Sequence, residues 1–321
     1  MLLDAHLSPL VSIGIPTYNR PNGLKRTLSA LLQQSYTNIE IIVSDNGSPQ
    51  KEEIRQIVTD FQDSRIQLTQ HPVNQGVFFN FQYVLSVAKG EFFMWAADDD
   101  DWDRDFISKL VPLLLEDTTK IVAVPFVRYY KVNHILDDKK EEILLNTQEY
   151  HLLEYLASAT STYSRCKHYL TSRDNINKAN IIYGIFRRTH IQTIFNDWFD
   201  ANYYPFTSSD ELLMFMAMNC GGLAHYNGYL RSVYVHTDSE SSKQEYSETK
   251  LLHTNSILHE IITKNTTLTL IEKLYLHLLV IRRAYLMRRS FFKYKLGAFL
   301  EKIHLLQLYR KYIKKLLFTA L

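Results

Sequence analysis

Four adjacent carboxylates, Asp98, Asp99, Asp100 and Asp101, follow the apolar run Met94-Trp95-Ala96-Ala97. Like charges at that spacing repel, and a divalent cation would offset the repulsion. Oxygen ligands suit Mg2+, Mn2+ or Ca2+, and ions that serve phosphate chemistry take one or two protein carboxylates and let phosphate oxygens complete the shell. An acidic run can also cap a helix, here the one expected from Asp103 to Leu115. The position directly after a buried strand favours the cation, and Asp103 and Asp105 are assigned to the cap.

Two earlier loops have their own chemistry. Pro16-Thr17-Tyr18-Asn19 sets a hydroxyl, an aromatic ring and an amide at a strand end, groups that can bond or stack on a base or ribose. Asp45, at the head of Asp45-Asn46-Gly47-Ser48-Pro49, could accept from a ring N–H or a ribose hydroxyl. Turns use these same residue types, so either loop alone is explained as a turn. Neither a GxGxxG nor a GxxxxGK[ST] pattern is present, which argues against a Rossmann dinucleotide site and a P-loop.

The elements that must position these loops follow from periodicity. Strands are expected at Leu10–Pro16, Ile39–Ser44, Ile66–Thr69 and Glu91–Ala97, with helices at Leu24–Gln34, Glu52–Phe61 and Phe78–Ala88 between them. Alternating strand and helix is the pattern of a doubly wound, mostly parallel α/β sheet flanked by helices. Ligands of such sheets sit outside the carboxyl ends of the strands, so the loops at Pro16, Asp45 and Asp98 should converge on one rim. Further strands are expected at Ile121–Tyr130, Ile181–Phe186 and within Leu223–Val235, and helices near Tyr150–Ala159 and Asp210–Asn219. His134–Arg173 reads otherwise as irregular. From Leu251 onward the pattern is helical.

The chain has 321 residues, 46% hydrophobic and 22% charged, with a formal net charge of +2, which is ordinary globular composition. Two cysteines, Cys166 and Cys220, make neither a disulfide framework nor a metal-ligand spacing and fit a reducing cytoplasm. No signal peptide and no transmembrane run is expected. After Leu274 the charged residues are basic from Arg282 to Lys315, apart from Glu301. Such helices either lie in an anionic membrane interface or pack with a solvated basic face. No nucleic-acid module accompanies them.

Val11–Arg20 (VSIGIPTYNR), Glu40–Ser48 (EIIVSDNGS), Asn74-Gln75-Gly76 and Gly90–Asp100 (GEFFMWAADDD) together resemble family 2 glycosyltransferases of the GT-A fold, over roughly the first 110 residues. The resemblance implies inverting transfer of a sugar from a nucleotide-sugar, UDP by default, to a glycan or lipid-linked acceptor in bacterial surface polysaccharide synthesis. It places Pro16, Thr17, Asn19 and Arg20 along the nucleoside, Asp45 and Asn46 at the base, and Asn74, Gly76, Asn80 and Asp98 in the donor pocket. Asp99 and Asp100 fall in the family's DXD region and would hold Mn2+ or Mg2+, Asp99 foremost. Ala97 stands where many members carry the first aspartate, so which carboxylates flank the ion stays open. Ser209-Asp210-Glu211 is similar to the motif supplying the catalytic base, with Asp210 first and Glu211 second; an aspartate there can also be a simple N-cap. His236 resembles a late histidine placed near the diphosphate or metal.

The expected organisation is a catalytic domain over 1–250 (donor half 1–110, acceptor half 111–250) and a basic helical region over 251–321. The expected location is cytoplasmic, either free or peripheral on the inner membrane face. Two rivals carry less: a sugar nucleotidyltransferase, which would show a Gly-rich phosphate loop near the N-terminus, and an inactive nucleotide-sugar-binding partner in a polysaccharide assembly complex.

Overall fold

The computed structural model describes residues 8–131, 141–143, 147–172, 178–198, 209–235 and 248–302. The first half alternates as its periodicity predicts. β1 (Val11–Thr17) leads to α1 (Pro21–Leu32), β2 (Ile39–Asp45), α2 (Lys51–Asp60), β3 (Ile66–Gln70), α3 (Val77–Ser86) and β4 (Phe92–Trp95). β1 and β2 are short, β-branched and buried almost throughout, as strands covered on both faces must be. α1 opens with Pro21, whose fixed φ suits the first helical turn, and buries Leu24, Leu28 and Leu31 at helical spacing.

The second half departs from a purely parallel plan. β5 (Asp101–Trp102), α4 (Phe106–Glu116), β6 (Lys120–Lys131), β7 (Glu141–Ile143), α5 (Thr147–Ser158) and α6 (Thr162–Thr171) come first. A 3-10 turn (Lys178–Tyr183) then leads to β8 (Ile185–Arg187), α7 (Arg188–Trp198), α8 (Ser209–Cys220) and β9 (Gly222–Val235). The sheet order is β3-β2-β1-β4-β8-β6-β9-β5, with β7 on β6. β3, β2, β1 and β4 run parallel to one another. β8 lies antiparallel between β4 and β6, and β5 pairs antiparallel with β9. The sheet is therefore mixed, and its parallel stretch is the half that carries the three loops.

Alternate strand residues feed two cores. Ile13, Ile15, Ile41, Val43 and Met94 pack against α1 and α4 on one side, while Ile42, Phe93 and Trp95 face α3, α7 and α8 on the other.

Several expectations shift. The segment 181–186 divides into the 3-10 turn and the short β8 instead of one strand. α6, expected as irregular chain, is a true helix: Ser161 caps Ser164 N at 3.1 Å, and Cys166, Tyr169 and Leu170 are buried with Arg165. Its polar composition hid the period. α4 starts at Phe106, and Asp105 occupies the N-cap position without a side-chain capping bond. Asp103 accepts from Asp105 N at 2.8 Å, while Gln34, in the loop after α1, accepts from Ile107 N at 3.1 Å. The helix is thus capped from a distant element. The C-terminal stretch forms two helices, α9 (Glu248–Lys264) and α10 (Leu270–Lys302). They part at Asn265–Thr269, where Thr269 and Glu272 form a reciprocal capping box. Ile257, Ile261, Leu276 and Val280 of this pair share a core with α6 and α8. No helix of the described residues is long and apolar enough to cross a membrane.

Candidate functional site

The register of β1 on β2 sets Thr17 beside Asp45, so the first two strands release their loops at one edge. Three bonds weld the loops together. Asn46 N donates to Thr17 O at 3.0 Å, Asn19 N donates to Ser48 Oγ at 2.7 Å, and Thr17 Oγ1 donates to Asp98 Oδ2 at 2.7 Å. The convergence expected of the three strand ends is present.

Asp45 is fully buried and serves its own loop: Ser48 N donates to Oδ1 at 3.0 Å and Gln70 Nε2 to Oδ2 at 3.1 Å. Asn46 donates to Asn74 Oδ1 and to Gly76 O, both at 2.9 Å, and accepts from Gln75 N. Gly76 has φ 91°, the left-handed region a side chain disfavours, which explains glycine at the entry to α3. Asn80, on the first turn of α3, donates to Thr17 O at 3.2 Å and Ser44 O at 3.0 Å, and its buried Oδ1 has no hydrogen-bond partner. These residues shape the rim. Tyr18 and Asn19 are the exposed members of the first loop, and Asn19 adopts φ 58°. Pro16 is half-buried inside β1.

The charge argument from sequence did not count the arginines that lie against these aspartates. Three arginines neutralise them. Arg20 Nη1 reaches Asp98 Oδ1 at 3.1 Å and Asp99 Oδ2 at 2.6 Å. Arg26 Nε lies 3.2 Å from Asp101 Oδ1, and its Nη2 donates to Asp99 O at 2.7 Å. Arg231 of β9 pairs with Asp100 at 2.8 Å, both side chains almost wholly buried. Its guanidinium lies 4.2 Å from the Tyr183 ring centroid and 5.4 Å from that of Trp102. Tyr234 donates to Asp101. Burial pushes the Asp98 carboxyl up to about 6 against the pull of Arg20, and pushes Asp100 up to about 6 against that of Arg231.

Asp100, expected at a metal, lies in the interior beside Arg231. Asp99 remains 25% exposed at the rim. Among the described residues no three His, Cys, Asp or Glu side chains form a ready cage. A part-exposed carboxylate such as Asp99, paired on one side with Arg20, still fits the ions that take one or two protein carboxylates and several phosphate oxygens.

Asp210 opens α8, with Glu211 N donating to its Oδ1 at 3.0 Å. It is open to solvent but surrounded by protein on its other sides, and that crowding raises its carboxyl above the ordinary carboxylate range, the backbone bonds opposing. The hydroxyl of Tyr183, raised first by burial, lies in the fields of Asp99, Asp100 and Asp210 together, with Arg231 opposing. Tyr183 thus stands between Asp210 and the aspartate loop and feels both. Glu211 instead gives its carboxylate to Arg283 of α10 at 2.5 Å, in a largely buried pair. His236 lies outside the described residues.

Sequence reasoning missed Arg26, Tyr183 and Arg231 at this site and Arg283 beneath it. Arg231 left a trace, since one arginine within an apolar strand signals a buried partner.

The glycosyl transferase family 2 model matches residues 12–177. Among curated relatives, a glycosyl transferase assigned to colanic acid biosynthesis, WcaA of Escherichia coli K12, is 34% identical over 101 residues, 32% of this chain and 36% of its own. The Escherichia coli UDP-Glc:alpha-D-GlcNAc-diphosphoundecaprenol beta-1,3-glucosyltransferase WfgD is 30% identical over 107 residues, 33% of this chain and 42% of its own. The chain thus spans less than half the length of these relatives. Among solved structures, Staphylococcus aureus TarS 1–349 in complex with UDP-GlcNAc aligns with TM-score 0.60 at 17% identity, over 86% of this chain and 72% of that one. The mannosyltransferase PcManGT of Pyrobaculum calidifontis, in complex with GDP-Man and Mn2+, aligns with TM-score 0.55 at 15% identity, over 95% and 83%. These structures share the fold. The family match covers just over half of the chain and the loops that meet at the rim lie within it, so the chain belongs to glycosyl transferase family 2.

Proposed function

We propose that this chain transfers a sugar from a nucleotide-sugar, with UDP as the nucleotide, to a hydroxyl of a glycan or lipid-linked acceptor, with inversion, in bacterial surface polysaccharide synthesis. The observation that carries the reading is the meeting of the β1, β2 and β4 loops at one rim, with Asp99 part-exposed there. The names of relatives lend support: WfgD takes UDP-Glc and a diphosphoundecaprenol-linked acceptor, and TarS was solved with UDP-GlcNAc.

The donor lies along the rim between Tyr18, Asn19 and the Asn74–Gly76 turn, on a floor fixed by Thr17, Asp45, Asn46 and Asn80. An acceptor oxygen attacks the anomeric carbon, the bond from that carbon to the diphosphate oxygen breaks, and Asp210 takes the hydroxyl proton. A single displacement from the opposite face inverts the centre. Mn2+, the ion in the PcManGT complex, or Mg2+ would be held by Asp99 with donor phosphates and would act as a Lewis acid on the leaving group. Arg20 and Arg26 bring positive charge to the same place and hold the loop in shape.

The test separates binding from chemistry. Asp99→Ala should abolish cation-dependent donor binding, read by calorimetry with UDP-sugars and Mn2+. Asp210→Asn should keep donor affinity and lose about 10²- to 10⁴-fold in transfer. Equal affinity and full turnover in both variants would refute the roles. Donor binding without hydrolysis or transfer in the wild type would favour the inactive-partner reading.

A further inference from the structure

α10 buries one side and leaves the other bare. Leu276, Leu279, Val280 and Arg283 face the protein. Leu270, Ile271, Leu274, Leu278, Ile281 and Tyr285 do not; Leu270 is 74%, Ile271 79% and Leu278 62% exposed. At about 100° per residue these six fall within one arc of about 100°, the width of a helix face made to be covered. Scattered surface leucines need no explanation, but a continuous apolar stripe over four turns does.

The charge around the stripe selects its cover. Arg282 borders the arc and is exposed, and Arg288 and Arg289 extend it by one turn. From Arg282 to Lys315 the sequence carries eleven Lys and Arg residues against one acid, Glu301. A second copy of the chain would bring this same positive charge to the contact and be repelled. An apolar stripe continued by cationic turns suits a layer whose interior is hydrocarbon and whose surface is negative.

We propose that the exposed face of α10, from Leu270 to Tyr285, docks in the interface of an anionic lipid bilayer. The helix lies in the plane of the membrane, its leucines among the upper acyl chains and its arginines at the phosphates. On its other side Arg283 grips Glu211, next to Asp210, so docking sets the proposed acceptor side of the rim at a fixed distance from the lipid headgroups. That geometric consequence rests on the transfer reading; the docking itself needs no donor.

Flotation of the full chain, without nucleotide-sugar, tests it. Wild type should float with phosphatidylcholine vesicles containing phosphatidylglycerol, and not with phosphatidylcholine alone. Leu274→Glu/Leu278→Glu should lower that partition by about tenfold or more, since each leucine buried from water is worth at least that factor. Both positions are exposed, so melting temperature and far-UV circular dichroism should not change; Ile281→Glu is a second probe should the double variant misfold. Wild type that stays with the soluble fraction, or variants that float as well as wild type, overturn the proposal. So does a wild-type dimer by light scattering that the substitutions turn into a monomer, which would assign the face to a second copy. Transfer to a short water-soluble acceptor, measured in parallel, reports on the reaction independently.

Discussion

Thr17 Oγ1 donates to Asp98 Oδ2 at 2.7 Å, joining the last residue of β1 to the first aspartate of a loop 81 residues further on. Thr17 is 2% exposed and Asp98 5%, so water cannot replace the bond. Thr17→Val keeps the shape and removes the donor. A hydrogen bond to a buried charged group is worth about 1.5–3 kcal/mol, and denaturant unfolding should show a loss of that size. An unchanged midpoint would mean that Arg20 alone holds Asp98.

Gly23 is fixed by contact. A Cβ there would lie 2.2 Å from Asp98 O, a backbone atom that cannot swing away. Gly23→Ala should lower stability by about 1–3 kcal/mol, the usual cost of overpacking, and weaken donor binding because the aspartate loop must retreat. Asn22→Ala, at an exposed position on the same helix, is the control; equal effects from the two would remove the steric explanation.

Arg231 and Asp100 are a buried pair whose halves need each other. Arg231→Met should destabilise by about 3–5 kcal/mol, since it strands a carboxylate away from water. Adding Asp100→Asn should restore much of the loss. A double variant no better than the single one would point to the Tyr183 and Trp102 stacking of Arg231 as the larger contribution.

The raised carboxyl of Asp210 gives a pH signature. A base must be unprotonated, and a raised pKa keeps the proton on to higher pH. Activity should therefore fall on acidification at a pH above the ordinary carboxylate range, in kcat/KM for the free enzyme. An acidic limb near pH 4, or none, would speak against Asp210 as the base.

His259 and His277 join the two C-terminal helices through their Nδ1 atoms at 2.7 Å, one donating and one accepting. Burial first lowers both, then His277 acts on His259 and Lys273 on His277. Below about pH 6.5 the unfolded chain takes up protons that the folded pair resists, so stability falls as pH drops from there through the lowered values. Melting temperature should decline over that range, and less steeply in His277→Gln. Parallel curves would show that the pair does not titrate with unfolding.

The strands and helices from β1 to β4 were legible because each alternates sharply between apolar periodicity and turn residues, whereas the two-residue β5 left no pattern to read. β1 and β2 are bounded by Pro16-Thr17 and Asp45-Asn46, and their burial admits no other reading. The convergence of three loops followed from topology, since parallel strands release their loops at the same edge. α6 was hidden because its buried face includes Arg165, whose Nε donates to Met218 O at 2.8 Å, a contact no local pattern announces.

The sequence by itself determined which residues could form the rim, that a parallel half-sheet would carry them, and the family to which the chain belongs. Only the tertiary structure decided how the aspartates are shared out: Asp98 to Thr17 and, together with Asp99, to Arg20, Asp100 to Arg231, Asp101 to Arg26, with Asp99 and Asp101 reaching the surface. The physical reason is that charge neutralisation acts through space. Arg20 comes from the N-cap of α1, Arg26 from α1 itself and Arg231 from β9, on the far side of the sheet order, and the pairing of β5 with β9 brings that last arginine within reach. Pairing between residues so far apart along the chain leaves no period or spacing to read.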